Sequence, residues 1–182
     1  MSIAVPSTDH HASLTTSWSL GLNHSVTVRP ISPDDADIVR AFAHGLSRES
    51  RYNRFLGGGF ALTPEWMDRL VRIDFSRDMA LIATVALDGE DTQIGVSRYV
   101  RLGERTSCEL AVTVADAWQG RGIGRRLLAR LVDVARGAGI RRMFGEVLAN
   151  NARMLHLASS LGFRVGLHPD GGALRRVSLD LN

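Results

Sequence analysis

Two features of this chain combine residue types and spacing that could do chemistry. Glu109 is a carboxylate set inside the apolar run Cys108-Glu109-Leu110-Ala111-Val112-Thr113-Val114, and the segment Gln119-Gly120-Arg121-Gly122-Ile123-Gly124-Arg125-Arg126 puts glycines at alternate positions just ahead of an amphipathic stretch. A carboxylate in such surroundings is a candidate acid–base group; it could equally be an exposed residue paired with a neighbouring arginine. Alternating glycines leave backbone N–H groups unshielded, and a helix beginning there adds the positive end of its dipole, so the segment suits a pyrophosphate. Arg121, Arg125 and Arg126 oppose that dipole by about 0.3 to 1 kcal/mol each, a penalty a bound anion would reverse. The alternative is that the arginines are solvated and the glycines only let the helix pack closely on a sheet.

These residues need a scaffold, and the hydropathy pattern supplies one. Strand periodicity marks Val26 to Val28, Ala80 to Leu87, Gln93 to Arg101, Ser107 to Val114, Arg142 to Leu148, and two closing strands near Phe163 to Leu167 and Leu174 to Leu181. Asp88-Gly89 and Leu102-Gly103 read as turns, so the three middle strands are expected to be antiparallel. Helices are expected after the cap Ser32, with the stripe Ile38, Val39, Phe42, Ala43 and Leu46, then over Arg48 to Phe55, and from Pro64 to Val71 after the cap Thr63. Two more are expected over Arg121 to Arg136 and Asn151 to Leu161. Gly57 to Gly59 reads as loop, and residues 1–24, rich in Ser, Thr and His, as a poorly ordered arm ahead of one domain over 25–182.

Composition narrows the field. The chain has 182 residues, 45% hydrophobic and 23% charged, which fits one domain with a real core. No apolar run reaches the roughly 18 residues needed to cross a bilayer, and the first residues carry no secretory pattern, so a cytoplasmic protein with no membrane role is expected. The only cysteine, Cys108, cannot form an internal disulfide and reads as a buried hydrophobe. His10 and His11 lack companion ligands, and no metal is expected. All 22 basic residues are arginine, which excludes a Walker A loop and Schiff-base chemistry. The net charge of +3 is spread along the chain, so nucleic acid is not an expected partner. A dinucleotide fingerprint fails because the third glycine position falls on Leu127.

The segment Gln119 to Gly124 resembles the Q/R-x-x-G-x-G/A motif of the Gcn5-related N-acetyltransferases (GNAT), and Asn151-Ala152-Arg153-Met154-Leu155-His156-Leu157-Ala158-Ser159-Ser160-Leu161-Gly162-Phe163 is similar to that family's second cofactor segment. The order of elements from Val26 to Leu181 is also the family's. The resemblance implies an α+β fold with a mixed, mostly antiparallel sheet of about six or seven strands and about four or five flanking helices. It implies acetyl-coenzyme A in a gap between the strands ending at Val114 and Leu148. Val112 and Val114 would hold the thioester and pantetheine, and Gln119, Gly120, Arg121, Gly122, Ile123, Gly124 and Arg125 the pyrophosphate, with Asn151 completing the cofactor site. A homodimer is compatible with it.

Amine acetylation needs a neutral amine, and an amine of pKa about 10.4 must lose a proton at neutral pH. Glu109 resembles the glutamate of bacterial GNAT protein acetyltransferases, which implies a general base. The tyrosine that serves many members as acid is Ala158 here; His156 points about 200° away around the helix, and Tyr52 and Tyr99 could serve from other elements but read rather as packing or surface. A thiol of pKa about 8.5 leaves without help at a cost of about 2 kcal/mol. The stretch Ser47 to Phe55 looks like the corresponding helix of protein-lysine acetyltransferases, which leans the acceptor toward protein lysine over a small-molecule amine. A different class is a non-catalytic acyl-coenzyme A sensor on the same fold. Loops Gly57 to Thr63 and Gly166 to Gly172 are expected to shape the acceptor site.

Overall fold

The computed structural model describes residues 14–22, 24–56, 63–103 and 106–181. Eight strands form one sheet: β1 (Thr16–Leu20), β2 (His24–Pro30), β3 (Met79–Leu87), β4 (Glu90–Leu102), β5 (Ser107–Val114), β6 (Arg142–Leu148), β7 (Arg164–Leu167) and β8 (Leu174–Asp180). Their order is β1-β2-β3-β4-β5-β6-β8-β7, and every neighbouring pair is antiparallel except β5–β6. Five α-helices accompany it among the described residues: α1 (Ala36–Gly45), α2 (Arg48–Arg54), α3 (Pro64–Val71), α4 (Ile123–Gly137) and α5 (Ala152–Ser160). None is long and apolar enough to cross a membrane.

Local chemistry explains most boundaries. Ser32 and Asp35 form a reciprocal capping box at the 3-10 turn Pro33–Asp35 that leads into α1, while Ser47 and Thr63 cap α2 and α3 through their hydroxyls. Asp88 (φ 52°) and Gly89 (φ 86°) both take left-handed backbone, as a two-residue hairpin turn requires. The long helix starts at Ile123 rather than Arg121, because Gly122 has φ 80° and cannot lie inside a right-handed helix. Asp35 is 7% exposed and accepts two 2.7 Å bonds from the Arg29 guanidinium, plus a third from Ser32 N.

One expectation is corrected. The poorly ordered arm does not extend to residue 24: Thr16–Leu20 pairs with β2 as an edge strand, an eighth strand in a sheet that otherwise has the mixed, mostly antiparallel form expected. Ser17 and Ser19 face solvent while Trp18 and Leu20 pack on the core, an alternation carried by too few apolar residues to stand out in the sequence. His10, His11 and the loop glycines Gly57 to Gly59 lie outside the described residues.

The sheet separates two cores. On one face α4 packs over β3 to β6 with Leu127, Leu128, Leu131, Cys108 and Met143 fully buried. On the other, α1 and α3 close over Ile31, Ala80 and Ile82. β3 is buried on both faces, hence its unbroken apolar sequence. Asp35→Ala is expected to lower the unfolding free energy by about 2 to 3 kcal/mol, by removing a cap and stranding half-buried Arg29. In urea denaturation Ser32→Ala should cost only about 1 kcal/mol; equal losses would mean the Arg29–Asp35 pair contributes nothing.

Candidate functional site

β5 and β6 pair only through Ser107↔Arg142, Cys108↔Met143 and Glu109↔Phe144, and then part. Ala115 N–H donates to Ile94 O on β4, so by strand alternation the main-chain groups of Leu110, Val112 and Val114 face the opposite edge, into the fork. Gly145 stands at its apex, where an added Cβ would lie 3.1 Å from Leu110 O. The antiparallel neighbour β4 stays paired along all of β5. The opening is therefore a local departure of two strands, lined by main-chain groups that β5 and β6 no longer pair with each other.

The N-terminus of α4 faces this opening without a cap of its own. Gly122 offers no side chain, and the first turn holds no acidic residue. Gly120 (φ 74°) and Gly122 turn the chain through left-handed backbone with open space where a Cβ would be. Gly124 packs against Leu157 and Val114, where a Cβ would fall at 3.4 and 3.5 Å, and Ile123 is buried in the core so that only its main chain serves the turn. The arginines are held apart from one another: Arg121 lies over Trp118, Arg126 over Trp18, and Arg125 donates to Ser160 O and Oγ at 3.0 and 2.7 Å. Asn151 spends its side chain on capping α5, accepting from Met154 N at 3.1 Å.

Gln119 is a strut. Its Nε2 donates to Val114 O (3.1 Å) and Ser50 Oγ (3.2 Å), and its Oε1 accepts from Arg153 (3.1 Å), joining β5, α2 and α5. Beside it, Asp116 accepts from Ser47 N (2.9 Å), Ser47 Oγ (2.7 Å) and Ser50 Oγ (2.7 Å), and so grips the start of α2 from the glycine-rich loop. Burial pushes the Asp116 carboxyl up, but these hydrogen bonds together outweigh it and hold the group below the usual carboxylate range. An aspartate three residues before Gln119 carried no sequence signal for this link, because its partners lie nearly seventy positions away.

Glu109 is the last residue of β5 to pair with β6, exposed, and free of hydrogen bonds and ion pairs among the described residues. A second carboxylate, Glu146, shares its face: Glu109 sits opposite Phe144, and Glu146 is the next same-side residue of β6. Sequence reasoning missed Glu146, although an acid in an apolar strand is the same signal that drew attention to Glu109. His168, from the loop after β7, donates from Nε2 to Glu146 Oε1 (2.7 Å) while its Nδ1 accepts from Asp170 N, and Arg176 adds a 3.2 Å contact. The His168 bond, helped by Arg176, holds Glu146 below the ordinary carboxylate range. Ala158 is fully buried and His156 exposed. Tyr99 points into the core on the opposite face and Tyr52 lies half in solvent. Burial pushes the Cys108 thiol up to about 12, too high for a nucleophile at neutral pH.

A family model described as the acetyltransferase (GNAT) family matches residues 47–163. Acetyltransferase PA5475 of Pseudomonas aeruginosa is 40% identical over 152 residues, 84% of this chain and 82% of that protein. The L-amino acid N-acyltransferase MnaT of Escherichia coli is 44% identical over 111 residues, 55% of this chain and 64% of its own. The crystal structure of the GNAT domain of S. lividans PAT superposes with a TM-score of 0.83 at 31% identity, covering 93% of this chain and 98% of that one.

Asp116→Asn is expected to loosen α2 without unfolding the sheet. Amide hydrogen exchange at Arg51 and Tyr52 should accelerate about fivefold, a local loss of about 1 kcal/mol. Because the folded carboxyl is held low, this contribution is full above its unfolded pKa of about 3.9 and disappears as pH falls through the lower folded value. Unchanged exchange would show that the grip is unimportant.

Proposed function

The chain belongs to the acetyltransferase (GNAT) family, and on that footing we propose that it moves an acetyl group from acetyl-coenzyme A to an amine whose proton is taken by Glu109, directly or through a water. One observation carries the reading: the split of β5 from β6 opens beside an uncapped helix N-terminus that has no acidic residue in its first turn, with a carboxylate at the fork that is unpartnered among the described residues. An uncapped fifteen-residue helix approached through two left-handed glycines fits a diphosphate. Bound acetyl-coenzyme A would supply an acyl group already activated as a thioester.

The chain's own residues would then divide the work. The amides of Gly122, Ile123 and Gly124 face the diphosphate, with Gly120, Arg121 and Arg125 shaping that turn, while Val112 and Val114 offer main-chain groups along the fork. Gln119 and Asn151 act indirectly, one bracing the loop and the other fixing α5. Glu109 is favoured over Glu146 as base because His168 and Arg176 already occupy Glu146 and hold its carboxyl low, and a carboxylate held low accepts a proton less readily. No tyrosine lies at the Ala158 position, so the thiolate departs unassisted. The Ser47 to Phe55 segment supports protein lysine as acceptor; similarity to an enzyme named for L-amino acids supports a free amino acid as the second reading.

Glu109→Gln should leave acetyl-coenzyme A affinity within about twofold in calorimetry and lower kcat by about a hundred- to ten-thousand-fold. Undiminished turnover would remove Glu109 from the mechanism. Tight binding by the unaltered protein with no thiol released from any amine would instead identify a sensor.

A further inference from the structure

A pocket on the Glu109 face of the sheet carries a charge arrangement that the proposed chemistry does not explain. Its walls include Phe42 of α1, Trp66 of α3 and Phe55 just after α2, and its polar lining is Arg54, Arg98, Gln93 and Thr113. Strand alternation puts Arg98 and Thr113 on the same face as Glu109: Arg98 pairs with Ala111, two residues from each of them along β5.

Two guanidiniums stand close enough here to repel one another; the acids nearest them, Asp78 for Arg98 and Glu109 for Arg54, attract them without pairing. Arg98 donates one hydrogen bond, from Nη2 to Leu70 O at 2.8 Å, and Arg54 lies over the Phe55 ring. Neither forms an ion pair among the described residues. Burial, reinforced by the charge of Arg54, pushes Arg98 down to about 10; burial also lowers Arg54, against the pull of Glu109. Both remain cationic at neutral pH, and cations held among apolar walls are costly until an anion meets them. In the same lining, Gln93 Oε1 and Thr113 Oγ1 are buried without a hydrogen-bond partner among the described residues, in side chains of residues only 4% and 9% exposed. Orphaned buried acceptors call for donors from a ligand. A lining that combines cationic forks, bare oxygens and aromatic side chains matches a molecule with a carboxylate, N–H donors and an apolar body.

We propose that Arg98 and Arg54 anchor a carboxylate carried by the acceptor, so that the enzyme acetylates amines bearing a nearby carboxylate and an apolar body, the pattern of a hydrophobic α-amino acid. The proposal rests on acetyl transfer as the reaction and adds what the acceptor must carry. The same carboxylate could come from an acidic residue beside a lysine in a peptide, and the experiment separates the two sources.

Turnover is measured with L-leucine and L-leucinamide, and with two lysine peptides that differ only in glutamate or glutamine beside the acceptor. In parallel, N-acetyl-L-leucine and N-acetyl-L-leucinamide are titrated into the coenzyme A-loaded protein, a pair with no ionising amine. The expected result is a preference of about 10- to 100-fold for the acid over the amide in kcat/KM and in binding. Arg98→Gln should abolish that preference while acetyl-coenzyme A affinity stays unchanged, and Arg54→Gln should reduce it. Preference for the glutamate peptide with indifference between leucine and its amide would keep the anchor and assign its carboxylate to a peptide. Equal use and equal binding of acid and amide in both pairs overturns the proposal. The binding arm needs no turnover, so Glu109→Gln, which should retain the binding preference, separates failure of the anchor from failure of the base.

Discussion

Main-chain N–H and C=O groups taken out of water must find partners, and most of this sheet meets that demand through its ladders. Between β5 and β6 the demand goes unmet after three residue pairs. The flanking ladders do not break with it, since β4 holds β5 to Val114 and β8 holds β6 to Leu148. Two rigid edges are thus kept apart by the strands behind them, and the fork persists because neither edge can close on the other without losing its outer partner.

The loop at the wide end of this fork is held by side chains so that its amides stay available. Gln119 spends both side-chain N–H donors on β5 and α2 and accepts from α5 at its oxygen, and Asp116 takes up the N-terminus of α2. The arginines beside α4 are drawn outward onto Trp18, Trp118 and Ser160. Cations that would oppose the helix dipole are tied to tryptophan rings and a helix end, and no acidic residue in the first turn compensates it. Because Asp116 and Gln119 both touch Ser50, α2 and the loop are one mechanical unit.

On the opposite face the distribution of acids and bases is uneven. Glu146 is locked by His168 and Arg176, whereas among the described residues Glu109 forms no hydrogen bond or ion pair through its side chain, and Arg54 and Arg98 form no ion pair. Low-dielectric surroundings magnify each of these differences, because an unbalanced charge among aromatic walls is worth far more to an incoming ligand than the same charge in water. The division into one occupied carboxylate and one open one gives the two arms of the fork different roles.

Much of this was legible in the chain. Ser32 capped the turn that leads into α1 and Thr63 capped α3, as expected, and Asp88-Gly89 formed the hairpin turn. These are short-range effects, decided by neighbours within a turn or a strand. The eighth strand was not legible, since Trp18 and Leu20 become a strand only when β2 supplies the ladder. Nor were the Asp116 grip, the Glu146–His168–Arg176 cluster or the Arg54–Arg98 pocket. Each joins residues from separate elements, and sheet order, register and the point where β5 leaves β6 decide which side chains meet. The sequence by itself determined the elements and the chemistry each could offer; tertiary structure decided which charges were neutralised and which were left open, because that balance depends on distances that only packing sets.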